Sequence, residues 1–515
     1  MTDAERMAIP LLAPSPLPAT GAGTPTRPIP LVESGTSRPR GLAPAVNLPA
    51  DFVGKLRQIC ARVSDDLATR NEASRDWWPL AMIWATENQV PAQAAVVVQP
   101  QSTAEVQAIL ALCNEAQVPV TTSGGRSGVC GAAVPLYGGV VLDTTALTGI
   151  NFVDTASQIV EVLPGTFGDH LETELRGEYE LTLGHWPQSI SLSTVGGWLA
   201  CRSAGQLSNR YGKIEDMVVG LEVVLANGEV VRTHQAPRQA TGPDLTSLFV
   251  GSEGTLGVIT RAWLRLHKAP QVEAHAAYGF ESWQAGMEAC RRILQRGANP
   301  AVLRLYDSIE SARSYGTSNL AVLLVLDEGD PATVEANMAV TAAECRDSKT
   351  LDSTLVKQWL GHRNEVSALE SLIQNDFVVD TMEISGPWSA LPAICEETLA
   401  ALRAIPGVRA ASVHQSHAYI DGACLYFTFA GRPENSGREA FYDACWEAGT
   451  KTVLRNGGTL SHHHGVGLNR SRFVDEALGS ANRVFQSVAL ALDPNGILNP
   501  GKLGLPSAFG PLSWP

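Results

Sequence analysis

At 515 residues the chain is long enough for two or three domains, and 44% apolar against 17% charged residues marks a globular chain with an ample core. The formal charge of −14, with no long basic tract, argues against nucleic-acid binding, and no apolar run approaches the roughly 18 residues of a membrane span. Nine cysteines without a CxxC pair suit reduced thiols in a cytoplasmic protein better than a disulfide framework or zinc ribbon.

Residues 1–46 are rich in Pro, Ala, Thr and Gly, and are expected to form a disordered or draped arm. Asp3, Glu5 and the interrupting prolines argue against a signal peptide. Residues 47–93 read as a helical segment: Phe52, Leu56, Ile59, Val63 and Leu67 have helical spacing across 51–75, and Asp76-Trp77-Trp78-Pro79 ends that helix. Residues 94–270 then alternate short strands and helices. AAVVVQP is a strand, Ser102 with Glu105 is a helix-capping signature, and further strands are expected within VPVTTSGG, GGVVLDTTAL, 218–233 and 256–267. From 271 to 456, strand-like pieces (AHAAYGF, AVLRLYD, NLAVLLVLDE, FVVDTMEI, ACLYFTFAG) alternate with helices, giving two βαβ-like units around a helical insert. Residues 457–515 form a closing segment. The whole is an α+β pattern, and no GxGxxG opens a helix in the dinucleotide-binding manner.

Four stretches combine glycine with hydroxyls: SGGRSG at 123–128, the run from Ser191 to Asp216, GSEGTLGVIT at 251–260, and SHHHGVG at 461–467. Glycine lets a backbone lie close to a ligand, and hydroxyls and turn amides then donate to its oxygens. Each stretch taken alone is equally consistent with a tight turn.

The ordered set SGGRSG, STVGGW with RYGKIED, TGPDLTSLFVGSEGTLGVIT, SHHHGVG and LDPNGILNPGK resembles the vanillyl-alcohol-oxidase, PCMH-type flavoprotein superfamily, over about residues 75–505. The triple histidine is most similar to the alkyldihydroxyacetonephosphate synthase branch, which is related to glycolate and D-lactate dehydrogenases. The resemblance implies a PCMH-type FAD-binding domain over 94–270, a substrate or cap domain over 271–456, and a C-terminal segment completing the active site. It implies FAD contacts at Thr122, Ser123, Gly124, Gly125, Arg126, Ser127 and Gly128; at Gln188, Ser189, Ser191, Ser193 and Thr194; at Cys201, Arg202, Ser203 and Ala204; and at Glu253, Gly254, Thr255, Gly257, Val258 and Ile259. The first loop has Arg126 and no histidine, so noncovalent FAD is expected, with His185 a buried or wall histidine.

Catalytic candidates implied by the same resemblance are Tyr426 as acid/base, His462, His463, His464, and Arg304 in the site region. Tyr426 suits acid/base work if a neighbouring cation lowers its pKa; otherwise it is a core aromatic. On an extended segment His462 and His464 share one face and His463 the other. Arg304, on a strand between apolar residues, needs a partner: substrate, FAD, or a buried salt bridge to Asp307 or Glu310. A metal held by His414, His417 and the triplet is the alternative, and none is expected. The synthase pattern Leu-Arg-Asp before the strand matching FVVDTMEI is replaced by Ala368-Leu369-Glu370, and Arg363 lies more than one turn upstream. The family's aspartate is replaced by Gln188.

These features lead to an FAD-dependent oxidoreductase passing hydride from a small polar substrate, such as a 2-hydroxy acid or alcohol, to flavin N5. The alternative is an alkylglycerone-phosphate synthase-like transferase without net redox, and a flavin-binding scaffold is the remaining class. A small-molecule substrate is the expected partner, and a homodimer is left open.

Overall fold

Short β-branched runs decide where the backbone pairs, and the computed structural model sorts them into three larger sheets. It describes residues 35–233, 236–317 and 319–513. Val96–Val98, Val140–Asp143 and Val120–Ser123 pair in parallel, and Val63–Ser64 closes the edge antiparallel to Val96–Val98. These strands are buried along their length, as parallel strands covered on both faces must be. The helix Thr103–Ala116 follows Ser102, whose hydroxyl accepts the Glu105 amide at 3.2 Å, so the expected cap forms. A five-stranded antiparallel sheet follows in the order Val230–Arg232, Val218–Val224, Val258–Arg265, Ile159–Val162, Ile150–Asp154.

The seven-stranded sheet is antiparallel throughout, in the order Lys349–Leu351, Val272–Phe280, Ala321–Gly329, Val302–Tyr306, Val408–Ala418, Gly422–Gly431, Val378–Pro387. In each half a helix links two strands that leave room for a third between them: Trp283–Gln295 in one half, Leu391–Arg403 in the other. The two βαβ-like units are therefore split ones, meeting where Tyr306 pairs with His414. The helices Thr354–His362 and Ser367–Gln374 are the insert between the halves.

Two expectations need correction. The stretch 51–75 is not one helix: Phe52–Ile59 is helical, the chain then extends so that Val63–Ser64 can pair with Val97 and Val98, and Leu67–Glu72 restarts with Asp66 as cap. A β-branched residue gains more from a ladder than from a third helical turn. Asp76-Trp77-Trp78-Pro79 does not end a helix but begins one, with Pro79 at the first position of Pro79–Thr86. Trp78 is fully buried and donates to Tyr442 at 3.0 Å, which ties this segment to the large sheet.

Of the arm, residues 1–34 lie outside the described residues. Further on, Arg38–Pro39 pairs with Gln89–Val90, and the Val46 amide donates to the Tyr137 carbonyl. The closing segment also returns to the first sheet, where Val120 bridges Leu498.

Candidate active site

Glu383 organises the centre. It sits in Val378–Pro387, opposite Tyr426 in the neighbouring strand, and is completely buried. Its carboxylate accepts the backbone amides of His462, His463 and His464 at 2.5, 3.2 and 3.0 Å, the Ser461 hydroxyl at 2.7 Å and the Arg470 guanidinium at 2.9 Å. Burial pushes the acid up, but Arg470 and these donors outweigh it and hold Glu383 ionised. An extended strand points successive amides to opposite sides, so three amides cannot reach one carboxylate from it. The triplet therefore bends around Glu383, and the expected alternation of faces fails: the facing Nδ1 atoms of His462 and His463 lie 2.8 Å apart.

Tyr426 is half-buried; its hydroxyl is 2.6 Å from His463 Nε2, and its ring stacks on His414 at 4.7 Å and 12°. The expected lowering of its pKa is not found. Burial pushes the phenol well above its ordinary value, and Arg304 and Arg470 only partly oppose this. Tyr426 is thus held protonated, and its hydroxyl shares a hydrogen bond with His463. His464 keeps a buried Nδ1 without a hydrogen-bond partner, and burial pulls its pKa to about 4.

Arg304 makes no salt bridge to Asp307 or Glu310. It donates to the Tyr306 hydroxyl at 2.5 Å, to Ser416 Oγ at 2.5 Å and to His414 Nε2 at 3.0 Å. His414 Nδ1 lies 3.0 Å from Glu310, so the ring donates there and accepts from Arg304, which fixes it as the neutral tautomer. Asp307 instead caps the helix Ser308–Tyr315. The strand Val408–Ala418, which carries His414 and His417, is hard to read because alanines and polar residues break its alternation; two histidines three positions apart are its main signal.

Beside Arg304 opens a cavity of about 350 Å³, with Tyr306, Trp359, Arg363, Gln188 and Gln206 in its wall. Arg363 ends the helix Thr354–His362 and is held there by its neighbours: Gln206 donates to its carbonyl, and Asn364 donates to the Gln188 carbonyl at 2.8 Å. Its guanidinium lies 4.9 Å from the Trp186 ring and 5.8 Å from Trp359, and among the described residues no carboxylate comes within ion-pair distance. Burial pulls it down to about 10. The helix stops at Arg363 and restarts at Ser367, so Arg363 reaches the cavity despite its upstream position in the sequence.

The glycine-rich loops converge. A side chain on Gly124 would meet Thr194 Oγ1 at 2.3 Å, and one on Gly125 would meet the Leu192 carbonyl at 1.9 Å, so the loop 122–128 lies directly on 188–194. Arg126, Arg202 and Glu253 hold positive φ of 53°, 55° and 49°, a costly conformation that clusters at binding sites. The buried hydroxyls of Thr122, Ser123 and Ser191 have no protein partner, whereas Ser193 accepts from Trp198 and donates to the Ser189 carbonyl. A cradle of close backbone with unused buried donors fits the oxygens of FAD.

Other candidates are occupied differently. Glu253 accepts the Val466 and Gly467 amides at 2.5 and 2.8 Å, clasping the histidine loop to the cofactor loops. Thr255 donates to the Ser252 carbonyl, Gly257 packs on Val223, and Val258 and Ile259 open the strand Val258–Arg265. The Arg202 side chain is half exposed near Glu215, and Cys201 is the last residue of its helix. Ser203 shares a hydrogen bond with His185, whose fully buried ring lies 4.6 Å from Trp198 and is pulled by burial to about 3. Gln188 donates to the Glu365 carbonyl.

Donor atoms of Glu383, Cys424, His462 and His463 lie within 4.8 Å of one another, a geometry that also suits a metal. Arg470 beside Glu383 and the shared contact between the two rings already use these donors. Sequence reading missed Glu383, Arg470, Tyr419 and Ser208. An acid inside the apolar run FVVDTMEI was the available signal, the same one that singled out Arg304.

A family model described as an FAD binding domain matches residues 94–234, and one described as the C-terminal domain of FAD linked oxidases matches 269–503. The chain is 32% identical over 429 residues to an uncharacterized FAD-linked oxidoreductase, YgcU, of Escherichia coli O157:H7, covering 79% of this chain and 88% of that one. It is 29% identical over 429 residues to the glycolate oxidase subunit GlcD of Bacillus subtilis, covering 79% and 84%. A solved alkyldihydroxyacetonephosphate synthase has the same fold, with TM-score 0.74 at 23% identity over 92% of this chain and 87% of that one. The cradle of loops and these matches agree: the chain belongs to the FAD-linked oxidoreductases with the PCMH-type fold, and FAD is its cofactor.

Proposed function

We propose that the protein oxidises a small anionic alcohol, with a 2-hydroxy acid as the model substrate. The observation that carries this reading is Arg363, a half-buried guanidinium without an ion-paired carboxylate, which lines with Arg304 a cavity of about 350 Å³. A partly buried cation left without an ion pair by the protein is ready to take its anion from a ligand. The cavity has room for a small acid. Arg363 and Arg304 bind the carboxylate, and Gln188 and Gln206 line its side.

Bound FAD supplies the acceptor for the substrate hydride. The loops 122–128, 188–194, 201–204 and 253–259 hold it without a covalent bond, within a domain spanning 94–270. Residues 271–456 form the substrate domain. Tyr426, whose ring stacks on His414 beside Arg304, takes up the substrate hydroxyl proton while passing its own to His463. His464, with its free Nδ1, orients the reacting oxygen.

A second reading has specific support. Arg363 is also the cation that a phosphate requires, so an alkylglycerone-phosphate synthase-like exchange of acyl for alkoxy is the competing function.

Anaerobic titration of the yellow protein decides between them. Bleaching near about 450 nm, where oxidised flavin absorbs, by a 2-hydroxy acid or alcohol establishes the oxidoreductase. Release of acid from acyl-dihydroxyacetone phosphate on adding a fatty alcohol, without net bleaching, establishes the transferase. Replacing Tyr426→Phe lowers either rate by about 10²–10⁴-fold with flavin retained; turnover within a few-fold of the parent removes Tyr426 from the chemistry.

A further inference from the structure

Tyr426 passes its proton to His463, which is only 8% exposed, so the proton needs an onward path. His463 faces Tyr426 with Nε2 at 2.6 Å and His462 with Nδ1 at 2.8 Å. His462 in turn places Nε2 3.0 Å from the hydroxyl of Tyr419. Tyr419 is only half-buried, so the chain of contacts ends on a side chain that meets solvent. We propose that Tyr426, His463, His462 and Tyr419 form a proton wire that carries the substrate's hydroxyl proton from the reacting centre to solvent. The inference rests on the proposed role of Tyr426 at the substrate.

The hydrogen count closes. Tyr426 donates to His463 Nε2, His463 Nδ1–H donates to His462 Nδ1, and His462 Nε2–H donates to Tyr419. Each ring is neutral and each link holds one hydrogen. When the substrate O–H bond breaks, its proton forms an O–H bond at Tyr426. Each link then hands on one proton, and the Tyr419 proton leaves to water. The rings exchange tautomers and end uncharged. The hydride leaves separately to the cofactor, so no other oxidant is needed.

The surroundings favour neutral transfer over storage of the proton on a ring. Burial pulls His462 and His463 well below the ordinary histidine range, and Lys213, 2.7 Å from the His462 carbonyl, adds to this. Arg470 pairs with Glu383 at 2.9 Å, and Arg304 donates to His414, which is bonded to Glu310. A branch from Tyr419 through Ser208 reaches His417 Nδ1 at 2.7 Å. His417 is held well below its ordinary value by burial, Arg304 and Lys213, so it does not retain the proton. Ser208 and His417 are buried whereas Tyr419 is half-buried, so Tyr419 is the exit.

Two measurements test the wire on the full-length holoprotein. Nitrogen-15 NMR of labelled histidines, assigned by single His→Gln variants, reads the tautomers without any substrate. One of His462 and His463 should carry hydrogen on Nδ1 and the other on Nε2, both neutral at pH 7. Two Nε2–H rings, or a charged ring, overturn the proposal. The second measurement is Tyr419→Phe, which removes only the exit hydroxyl. Flavin reduction by the substrate should slow about 10²-fold, with KM and flavin content unchanged and the rate recovered by added imidazole. A parental rate overturns the wire, and a loss that imidazole does not recover assigns Tyr419 a structural role instead. Tyr426→Phe separates the two claims: if it keeps the parental rate, the reading of Tyr426 fails whatever the tautomers show.

Discussion

Arg470, fully buried, and Arg363, half-buried, are both guanidiniums close to an aromatic ring, Trp446 at 4.9 Å for one and Trp186 at 4.9 Å for the other. Arg470 has Glu383 at 2.9 Å, and that carboxylate is further held by three successive amides and a serine. Arg363 lines a cavity and has no ion-paired carboxylate, only the more distant charges of Glu328 and Glu273. The difference separates two uses of charge. The Arg470–Glu383 pair is spent on shaping the histidine loop, while Arg363 is left with its charge unspent. Groups that the protein satisfies position the site, and groups that it leaves unsatisfied bind.

The largest expected effect comes from removing the satisfied cation. Arg470→Met leaves the Glu383 carboxylate buried without its counter-charge, which costs about 3–5 kcal/mol. The midpoint of denaturant unfolding should fall accordingly, and flavin reduction should fall with the loosened histidine loop. An unchanged midpoint would mean that Glu383 is stabilised by the amides alone.

Arg363→Met should behave in the opposite way. No anion is left behind, so stability should stay within about 1 kcal/mol, the range of the lost ring contacts. Substrate binding loses a charged hydrogen bond of about 1.5–3 kcal/mol, which raises KM by roughly tenfold to a hundredfold. Paired thermal-shift and steady-state measurements read both numbers. A stability loss equal to that of Arg470→Met would erase the distinction between the two arginines.

The same contrast has a pH signature. His185 and His464 are buried neutral, with pKa values of about 3 and about 4. Burial is the main cause in both; Lys213 adds to it at His185, and Arg470 adds to it at His464 against the pull of Glu383. A histidine lowered in the folded state leaves the unfolded chain holding more protons between its folded pKa and about 6.5. Its contribution is therefore complete above about pH 6.5 and is lost as pH falls toward about 4. Each such ring should add about 1.4 kcal/mol per pH unit to the slope of stability in that window. His464→Gln should flatten the slope by one ring's share, as read from melting temperatures between pH 7 and 4.5. A slope equal to the parent's would mean that His464 is already protonated in the folded protein.

Much of this arrangement was legible in the chain, and the parts that were not share a cause. The capping signature Ser102–Glu105, the buried valine strands and the glycine loops are local, so spacing and residue type revealed them. The helix over 51–75 failed because Val63 finds its strand partner in Val98, far along the chain. The faces of the histidine triplet failed for the same reason: Glu383, about eighty residues earlier, bends the loop. Arg363 was set aside because the distance along a continuous helix was too great, whereas the break after His362 turns it into the cavity. In each case a contact remote in sequence overrode a local period.

The smallest effect tests the contrast on hydroxyls. Thr122 Oγ1 is buried with no protein partner, while Ser193 Oγ accepts from Trp198 Nε1 at 2.7 Å. Thr122→Val keeps the β-branched shape in the strand Val120–Ser123 and removes only the donor. The flavin-free protein should be as stable as its parent or slightly more so, because a buried hydroxyl without a partner is itself unfavourable. FAD should bind about fivefold more weakly, the weight of one hydrogen bond of about 1 kcal/mol. Ser193→Ala should do the reverse: it strands the indole N–H of Trp198 and lowers the melting temperature of the flavin-free protein, with FAD affinity nearly unchanged. Flavin fluorescence titration and thermal shift on the two variants give the four values. If Thr122→Val binds FAD at parental strength, its hydroxyl does not face the cofactor, and the first loop must hold FAD through its amides alone.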